Sequence, residues 1–437
     1  MIFDKKKIIL ILIGIAFIII MAGLLYLLLS KKGQPPAEAT LQFWGTFDDR
    51  SFYQDAIDTY TQEHSNVRIV YREFSFEDYE KSLISAFAAG TGPDIWLMHN
   101  TWLPKHQDKI IPLSQTGKTP IYTFKDFQET FVDVVKADLT APDGTIYALP
   151  LYVDTLGLYY NKETLNSKGI SSPPKTWEEF VRDVGLLTKR DDRGNITTSA
   201  ASLGTSHNIN RSTDLLMLLM LQSGTRMTNA GNTSALFSQS VEGINVGELA
   251  LQFYTDFANQ AKPDRYTWND FQKYSIDAFT DGNAAMMFNY SHHLKTIRAK
   301  SPRLNFTIAP MPQPEKATVT VNFANYWAPT VSKQSAAPEE AWKFLVYLAT
   351  GDATKTYLEV SDRPSARRDL IETQRTTPEL GVFAVQSLSA RSWYQVDNIA
   401  IETIFAKMID NVNFNRFSVP DALREAESQV NVIMNRQ

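Results

Sequence analysis

Residues 40–98 alternate between strand and helix patterns, and this alternation is the strongest constraint on the fold. Residues 40–45 and 67–74 are patterned as strands, and 95–98 is a fully apolar strand. Between them, residues 51–63 and 76–89 place apolar side chains at the spacing of one helix face. A β-α-β-α-β series with short loops predicts a parallel sheet covered by helices. The sequence therefore predicts an α/β fold.

The ends of these predicted strands carry aromatic and amide side chains. Trp44 lies near the end of the first strand, and Asn100 and Trp102 follow the third. In parallel sheets, ligands bind beyond the carboxyl ends of the strands. These three residues are therefore candidates for ligand contact, although large aromatic rings are also mostly buried in cores.

The segment 147–161 reads as two extended stretches joined by a short polar break. Pro150 biases the preceding residue away from helix and removes one backbone donor. Asp154 and Thr155 interrupt the apolar run, which resumes at 156–160. This pattern suits a chain that leaves one compact unit and enters another, so we expect a crossing near residues 152–154.

The N-terminus has the pattern of a membrane anchor. Three lysines at positions 5–7 precede residues 8–29, which carry no charge, and Lys31 and Lys32 follow. About 20 apolar residues suffice to cross a bilayer. We expect residues 1–32 to be a retained single-pass anchor and 33–39 a spacer, which places the body outside the cytoplasm. The alternative is a signal segment cleaved after Ala39.

Charge and motif content narrow the classes of function. The chain has 48 acidic and 43 basic residues and no cysteine. A mildly acidic body argues against nucleic acid as a partner, and the lack of cysteine removes disulfides, thiol nucleophiles and cysteine-ligated metal. No serine hydrolase, zincin or P-loop motif occurs. We therefore expect no enzymatic activity, metal or cofactor.

Five sets of segments follow one another along nearly the whole exported part. They are 88–95 (Ala-Ala-Gly-Thr-Gly-Pro-Asp-Ile), 147–150 with 158–162, Gly169 with 173–180 (Pro-Pro-Lys-Thr-Trp-Glu-Glu-Phe), 279–286 and 338–345. Taken together and in this order, they resemble the extracellular solute-binding proteins of ABC importers. The branch that they resemble includes maltodextrin-binding and other sugar-binding proteins.

The resemblance implies a two-lobed periplasmic-binding-protein-like fold, with a hinge and a ligand in the cleft between the lobes. By this analogy the first lobe comprises residues 40–150 and 292–334, and the second comprises 153–289 and 338–437. The crossings between the lobes then fall near 152–154, 289–291 and 335–338.

A site for a sugar needs aromatic planes for its C–H faces and polar groups for its hydroxyls. The predicted strand ends and crossings supply both kinds. The aromatic candidates are Trp44, Trp102, Tyr152, Tyr290 and Trp327, and the polar candidates are Asn100, Asp154, Asn289, His292, Asn325 and Arg363. Each also has a structural interpretation: a ring can pack in the core, Asp154 can bond hinge amides, and Arg363 can form an interlobe ion pair.

The resemblance implies a monomeric receptor that binds a solute, with a sugar or oligosaccharide favoured, and presents it to ABC permease subunits. Two alternatives remain open on the same fold. A glycoside hydrolase would need two carboxylates about 5–10 Å apart and would turn over a bound sugar. A surface sensor would bind without contributing to uptake. The sequence does not identify the solute or the permease.

Overall fold

The computed structural model describes residues 14–23, 38–117 and 120–435. Residues 14–23 form helix α1, and their side chains are exposed. The remainder of the predicted anchor and residues 33–37 of the predicted spacer 33–39 lie outside the described residues. Within the described ranges, no helix combines the length and the apolar character needed to cross a bilayer.

The first lobe contains a four-stranded sheet made of β1 (Ala39–Thr46), β2 (Val67–Phe74), β3 (Ile95–His99) and β11 (Trp327–Val331). Strand β1 lies between β2 and β3 and pairs in parallel with both, and β11 pairs antiparallel with β3. The crossovers are α2 (Ser51–Glu63) and α3 (Phe76–Ala88). This arrangement confirms the parallel β-α-β-α-β unit predicted for residues 40–98.

The second lobe contains a five-stranded mixed sheet made of β5 (Gly157–Asn161), β6 (Lys189–Arg190), β7 (Ile196–Ala201), β8 (Ala284–Asn289) and β9 (Phe306–Ala309). The spatial order is β6-β7-β8-β5-β9. Strand β5 is antiparallel to both neighbours, and β7 is parallel to β8.

A third, small sheet joins the lobes, and we call it the hinge sheet. It consists of β4 (Asp154–Thr155), β10 (Asn322–Asn325) and β12 (Ala390–Arg391), with β10 in the middle. Residues just before and after these strands belong to different cores: Val153 to the first and Leu156 to the second. The chain therefore passes from one core to the other at β4, and β4 is hydrogen-bonded to β10, which in turn pairs with β12.

Short and long helices cover the three sheets. They are α4 (Leu103–His106), α5 (Phe124–Thr130), α6 (Asp133–Leu139), α7 (Lys162–Ser167), α8 (Trp177–Leu187), α9 (Ser212–Gln222), α10 (Val246–Asp256), α11 (Ser275–Thr280), α12 (His293–Lys300), α13 (Pro338–Thr350), α14 (Ala353–Ser361), α15 (Arg368–Gln374), α16 (Leu380–Ser387), α17 (Asn398–Asn413) and α18 (Val419–Met434). Two 3₁₀ turns occur at Gln107–Lys109 and Leu113–Gln115.

The lobe boundaries predicted beyond residue 291 need correction. Strand β9, assigned to the first lobe, pairs with β5 in the sheet of the second lobe. Helix α13, assigned to the second lobe, buries Trp342 and Phe344 in the core of the first lobe. The second and third crossings therefore lie at β10 and β12. The polar break at 289–291 is instead a turn inside the second lobe, because Met287 before it and Ile297 after it pack in one cluster with Tyr159 of β5.

Strand β1 also runs one residue further than its predicted end at Gly45. A Cβ at Gly45 would lie 2.4 Å from the hydroxyl of Tyr71 on the neighbouring strand. That hydroxyl donates to the backbone oxygen of Asp48. The glycine therefore serves a close approach between strands, and the strand continues through it to Thr46.

Candidate functional site

Three cavities lie between the lobes beside the hinge sheet. The β4 pocket, of about 230 Å³, is lined by Asp154. The central pocket, of about 50 Å³, lies over Phe323, Ala324 and Asn325 of β10. The β12 pocket, of about 380 Å³, is lined by Ser392, which follows β12. These three cavities adjoin one another, since neighbouring pockets share lining residues: Phe47, Arg211, Asn325 and Trp327 for the first two, and Thr101 and Gln395 for the last two.

The first lobe lines the cleft with an aromatic wall, formed by Phe47, Phe76 and Trp327. The ring of Phe47 stacks on Phe76 with 5.1 Å between centroids and lies 5.9 Å from the ring of Trp327. Phe47 and Phe76 are 49% and 42% exposed, whereas Trp327 is buried. Trp102 is buried directly behind Trp327, with 4.9 Å between the rings.

The second lobe lines the cleft with a charged wall, formed by Arg211, Asp214, Lys295 and Glu402. The carboxylate of Asp214 accepts a 2.7 Å hydrogen bond from the hydroxyl of Tyr290. The guanidinium of Arg211 lies 5.9 Å from the centroid of the Tyr290 ring. Burial acts to lower the pKa of Arg211, but the neighbouring Asp214, Tyr290 and Glu402 raise it above its ordinary value. The guanidinium therefore stays charged.

Asp154, in the first hinge strand, is buried and holds the second lobe to the hinge. Its carboxylate accepts hydrogen bonds from the backbone N–H of Thr155 (2.9 Å) and from the N–H and hydroxyl of Ser291 (3.1 and 2.8 Å). Nδ1 of His292 lies 3.4 Å from the same carboxylate. The hinge interpretation of Asp154 thus has direct support, because most of its acceptor capacity is used within the protein.

Tyr152 and Arg363 form the other side of the β4 pocket. The guanidinium carbon of Arg363 lies 4.1 Å from the centroid of the Tyr152 ring. Arg363 donates a 2.6 Å bond to the buried carboxylate of Asp48, which also accepts from the hydroxyl of Tyr357. This ion pair lies within the first lobe and is not the interlobe pair considered for Arg363 from the sequence.

His99 and Asn325 meet at the floor of the central pocket. Nδ1 of His99 lies 2.8 Å from the hydroxyl of Thr101, and Nε2 lies 3.4 Å from Oδ1 of Asn325. Burial lowers the pKa of His99 to about 3, so the imidazole is neutral at physiological pH. This histidine therefore contributes hydrogen bonding and no charge to the cleft.

Asn100 lies in the β12 pocket as part of a network around Asp138. The Asp138 carboxylate accepts from Nδ2 of Asn100 (3.0 Å), from the hydroxyl of Tyr326 (2.9 Å) and from the hydroxyl of Ser392. Burial raises the pKa of Asp138 to about 6, against the opposing effect of these three donors. The network ties α6 of the first lobe to the chain leaving the hinge sheet.

The two lobes also touch at both ends of the cleft. Nε1 of Trp102 donates a 2.8 Å bond to Oδ1 of Asn398, at the start of α17. Beside it, Lys105 of the first lobe lies 2.8 Å from the carboxylate of Asp397. At the opposite end, Lys295 lies 3.0 Å from the carboxylate of Asp362. The structure therefore represents a conformation in which the lobes are in contact.

Most of the residues predicted from the sequence line these cavities. They are Asn100, Tyr152, Asp154, His292, Asn325, Trp327 and Arg363. Trp102 packs behind the aromatic wall. Asn289 and Tyr290 are fully buried beneath the charged wall: Oδ1 of Asn289 accepts a hydrogen bond from Asn210, and the hydroxyl of Tyr290 donates to Asp214.

Trp44 is not brought to the cleft. Its ring packs on Phe74, with 4.6 Å between centroids, and the guanidinium of Arg72 lies 5.4 Å from it. Because β1 continues to Thr46, the aromatic residue at its carboxyl end is Phe47. The reasoning about strand ends was sound, but the strand end was placed too early.

The sequence analysis did not identify Phe47, Phe76, Arg211 and Glu402. Phe76 is the first residue of the helix predicted at 76–89, and Arg211 immediately precedes the buried helix α9. A bulky apolar side chain or an arginine at the start of a predicted helix could have marked Phe76 and Arg211 as candidates for ligand contact. Glu402 had none, since it lies on an ordinary helical turn of α17. In the described ranges, no three His, Cys, Asp or Glu side chains are grouped to hold a metal ion.

Comparison with known sequences places this architecture among binding proteins. The profile of the bacterial extracellular solute-binding protein family matches residues 55–380. The multiple sugar-binding protein of Streptococcus mutans is 29% identical over 237 residues, which cover 52% of this chain and 53% of the relative. The maltodextrin-binding protein MdxE of Bacillus subtilis is 24% identical over 329 residues, or 72% and 70% of the two chains.

Solved structures share the two-lobed fold. The cyclic alpha-maltosyl-1,6-maltose binding protein of Arthrobacter globiformis superimposes with a TM-score of 0.75 at 20% identity, covering 91% of this chain and 99% of that one. The sugar-binding protein MalE of Xanthomonas citri gives 0.74 at 20% identity, covering 91% and 98%. These similarities confirm the two-lobed α/β fold. Together with the profile match, they show that the chain belongs to the bacterial extracellular solute-binding protein family.

Proposed function

We propose that this protein is a membrane-anchored receptor outside the cytoplasm that binds a sugar or oligosaccharide and delivers it to an ABC permease. One observation carries the proposal: an aromatic wall on the first lobe faces a charged wall on the second across adjoining cavities. Aromatic planes suit the C–H faces of a sugar ring, and charged hydrogen-bonding groups suit its hydroxyls. The sugars named for the relatives belong to the same class.

The hinge sheet supports a mechanism of closure. The three passages of the chain between the lobes are short, and the middle one, β10, pairs with both β4 and β12. Closure of one lobe onto the other is a rotation, which a few such hinge residues can absorb. A ligand that contacts both walls binds the closed state more tightly than the open state. This difference in binding free energy shifts the equilibrium towards the closed state. Translocation and ATP hydrolysis then belong to other chains, which recognise the closed form.

We propose a binding role in preference to a hydrolytic one. Asp214 and Glu402 both line the central pocket, but the Asp214 carboxylate already accepts from Tyr290. Among the described carboxylates of that pocket only Glu402 has no hydrogen-bond partner, whereas glycoside hydrolysis needs two carboxyl groups, placed on either side of the scissile bond. Incubation of the full chain with a bound saccharide should return the saccharide intact, and released products would favour the hydrolase instead.

The proposed anchor comprises residues 1–32, of which 14–23 are helical in the structure. A tether of this kind would raise the local concentration of the receptor at its permease. Fractionation of cells followed by N-terminal sequencing tests this directly. Recovery from the membrane with residue 1 or 2 at the N-terminus supports the anchor, and a mature N-terminus at position 40 supports cleavage.

The function is tested by thermal unfolding of the full chain with maltotriose, mannotriose, lactose, glucose 6-phosphate and a tripeptide. A ligand at a hundredfold excess over Kd should add about 2.7 kcal/mol to the free energy of unfolding. A shift with a neutral saccharide supports the proposal. A shift with the peptide alone, or with none of the sugars, would contradict it. Uptake of the bound sugar in a deletion strain separates a transport receptor from a sensor.

A further inference from the structure

Most charged side chains that line the β4 and central pockets are already satisfied by partners in the protein. Asp154 accepts from Ser291, Asp214 accepts from Tyr290, Arg363 binds Asp48, and Lys295 binds Asp362. In the described part of the chain, Arg211 and Glu402 are the charged residues of these pockets whose side chains have neither a hydrogen bond nor an ion pair. Both are accessible from the cleft.

Arg211 has an unusual backbone conformation that its neighbours hold in place. It immediately precedes helix α9 and has a left-handed backbone conformation, with φ 62° and ψ 33°. The preceding Asn210 donates from its backbone N–H to Ser275 (2.9 Å) and from Nδ2 to Asn289 (3.1 Å). The following Ser212 donates to the backbone oxygen of Ser206. Such conformations persist in non-glycine residues where the surroundings impose them, and they cluster at ligand clamps.

Phe47 has the same feature on the opposite lobe. Its φ is 65°, and its half-exposed ring lines the same two pockets as Arg211. One face of the ring is covered by Phe76. An aromatic plane and a guanidinium that has no hydrogen-bond or ion-pair partner among the described residues, each on a residue with positive φ, therefore lie on the two sides of one cleft.

We infer that Arg211 and Glu402 select the ligand by binding adjacent hydroxyls of a neutral saccharide whose apolar face lies on Phe47. This inference rests on the proposed function and adds to it the roles of single residues and the charge of the ligand. Arginine can only donate and an ionised carboxylate can only accept, so the two together match hydroxyl groups, which do both. Asp154, Asn289, Tyr290 and Arg363 are then positioning residues.

The charges of the central pocket favour a neutral ligand over an acidic one. Arg211 is its one positively charged lining residue among those described, and Asp214 and Glu402 are both acidic. A uronate or phosphate group drawn to Arg211 would approach these two carboxylates, and like charges at short range oppose binding. A hydroxyl group meets no such opposition.

The test measures binding by calorimetry on the full chain, with maltotriose, mannotriose and lactose as neutral probes and trigalacturonate as the acidic probe. Arg211→Met should weaken the binding of the neutral saccharide roughly 10- to 100-fold, because hydrogen bonds to a charged group are lost. Arg211→Lys should recover only part of this, since lysine lacks the planar donor pair. Glu402→Gln should weaken binding less than Arg211→Met.

Arg416→Met is the matched control, because Arg416 is exposed in the turn between α17 and α18 of the same lobe. Its affinity should equal that of the wild type, and urea unfolding of all variants checks that each is folded. Unchanged affinity in folded Arg211→Met, or tighter binding of trigalacturonate than of the neutral sugars, overturns this inference alone. Failure of the wild type to bind any saccharide overturns both this inference and the proposed function.

Discussion

The two walls of the cleft are built in different ways. On the first lobe, the buried Trp327 continues into the core through Trp102 and Tyr79. On the second lobe, Arg211 immediately precedes α9 and Glu402 lies on α17, and neither side chain is part of the core. The aromatic wall is thus continuous with the hydrophobic core of its lobe, whereas these two charged side chains lie outside the core of theirs.

This difference separates stability from recognition. A change to a buried ring of the first wall removes core contacts, so its effect on binding cannot be read apart from its effect on folding. A change to Arg211 removes polar atoms that face the cleft and leaves the core intact. We therefore expect the largest losses of stability from the first wall and the most selective losses of affinity from the second.

The largest expected effect is that of Trp102→Ala on stability. Trp102 is 2% exposed and packs on Trp327 and Tyr79, so truncation should cost about 3–5 kcal/mol of unfolding free energy. Urea denaturation measures the cost. Trp102→Phe, which keeps a ring but loses the bond to Asn398, should cost much less. Equal losses of stability for both variants would contradict the view that ring packing in the first wall contributes to the core.

The next effect is a pH dependence that resides in the first lobe. Asp138 has a pKa of about 6 when folded, raised by burial above its ordinary value. Between about pH 4 and 6 the native state therefore holds a proton that the unfolded state releases, so the contribution of Asp138 to stability falls as pH rises and stays low above 6. Relative to Asp138→Asn, the wild type should lose about 2 kcal/mol of unfolding free energy between pH 4.5 and 7.

Urea unfolding of both proteins at the two pH values isolates this titration, because every other group is common to them. His99 does not contribute in this range, since its pKa of about 3 keeps it neutral throughout. A difference between the two proteins that is constant with pH would show that Asp138 is ionised in the folded state at both values.

The smallest effect on stability is expected at the exposed edge of the aromatic wall. Phe47 is 49% exposed, so Phe47→Ala should change the unfolding free energy by about 0.5 kcal/mol or less. Its loss should nevertheless weaken saccharide binding about fivefold, the value of one aromatic contact. Calorimetry measures the loss of affinity, and urea unfolding of the same samples measures the change in stability. A large loss of stability would place Phe47 with the core and not with the binding surface.

Several features of the fold could be predicted because they depend on local patterns. The parallel unit at residues 40–98 follows from helix and strand periodicity, and the crossing at Tyr152–Asp154 follows from a proline and a polar break. The assignment of β9 and α13 to lobes could not be predicted. Their sequence patterns predict a strand and a helix, but they do not indicate which of the two apolar cores each element covers.

Trp44 illustrates the limit of local reasoning about a site. Gly45 was interpreted as a strand end, yet its small size accommodates the hydroxyl of Tyr71 on a neighbouring strand. A displacement of the strand end along the chain changed the aromatic residue at the cleft from Trp44 to Phe47. Because side chains alternate between faces of a strand, an error of a single residue in the strand end can move a candidate out of the site.

The sequence by itself determined the class of the fold, one passage between lobes, the family and the kinds of residue that a sugar site needs. The tertiary structure alone decided which of those residues remain open to a ligand. Arg363 is satisfied by Asp48, 315 positions away, and Ser291 by Asp154, 137 positions away. Such pairings depend on how distant segments pack, so no local pattern could separate the partnered groups from Arg211.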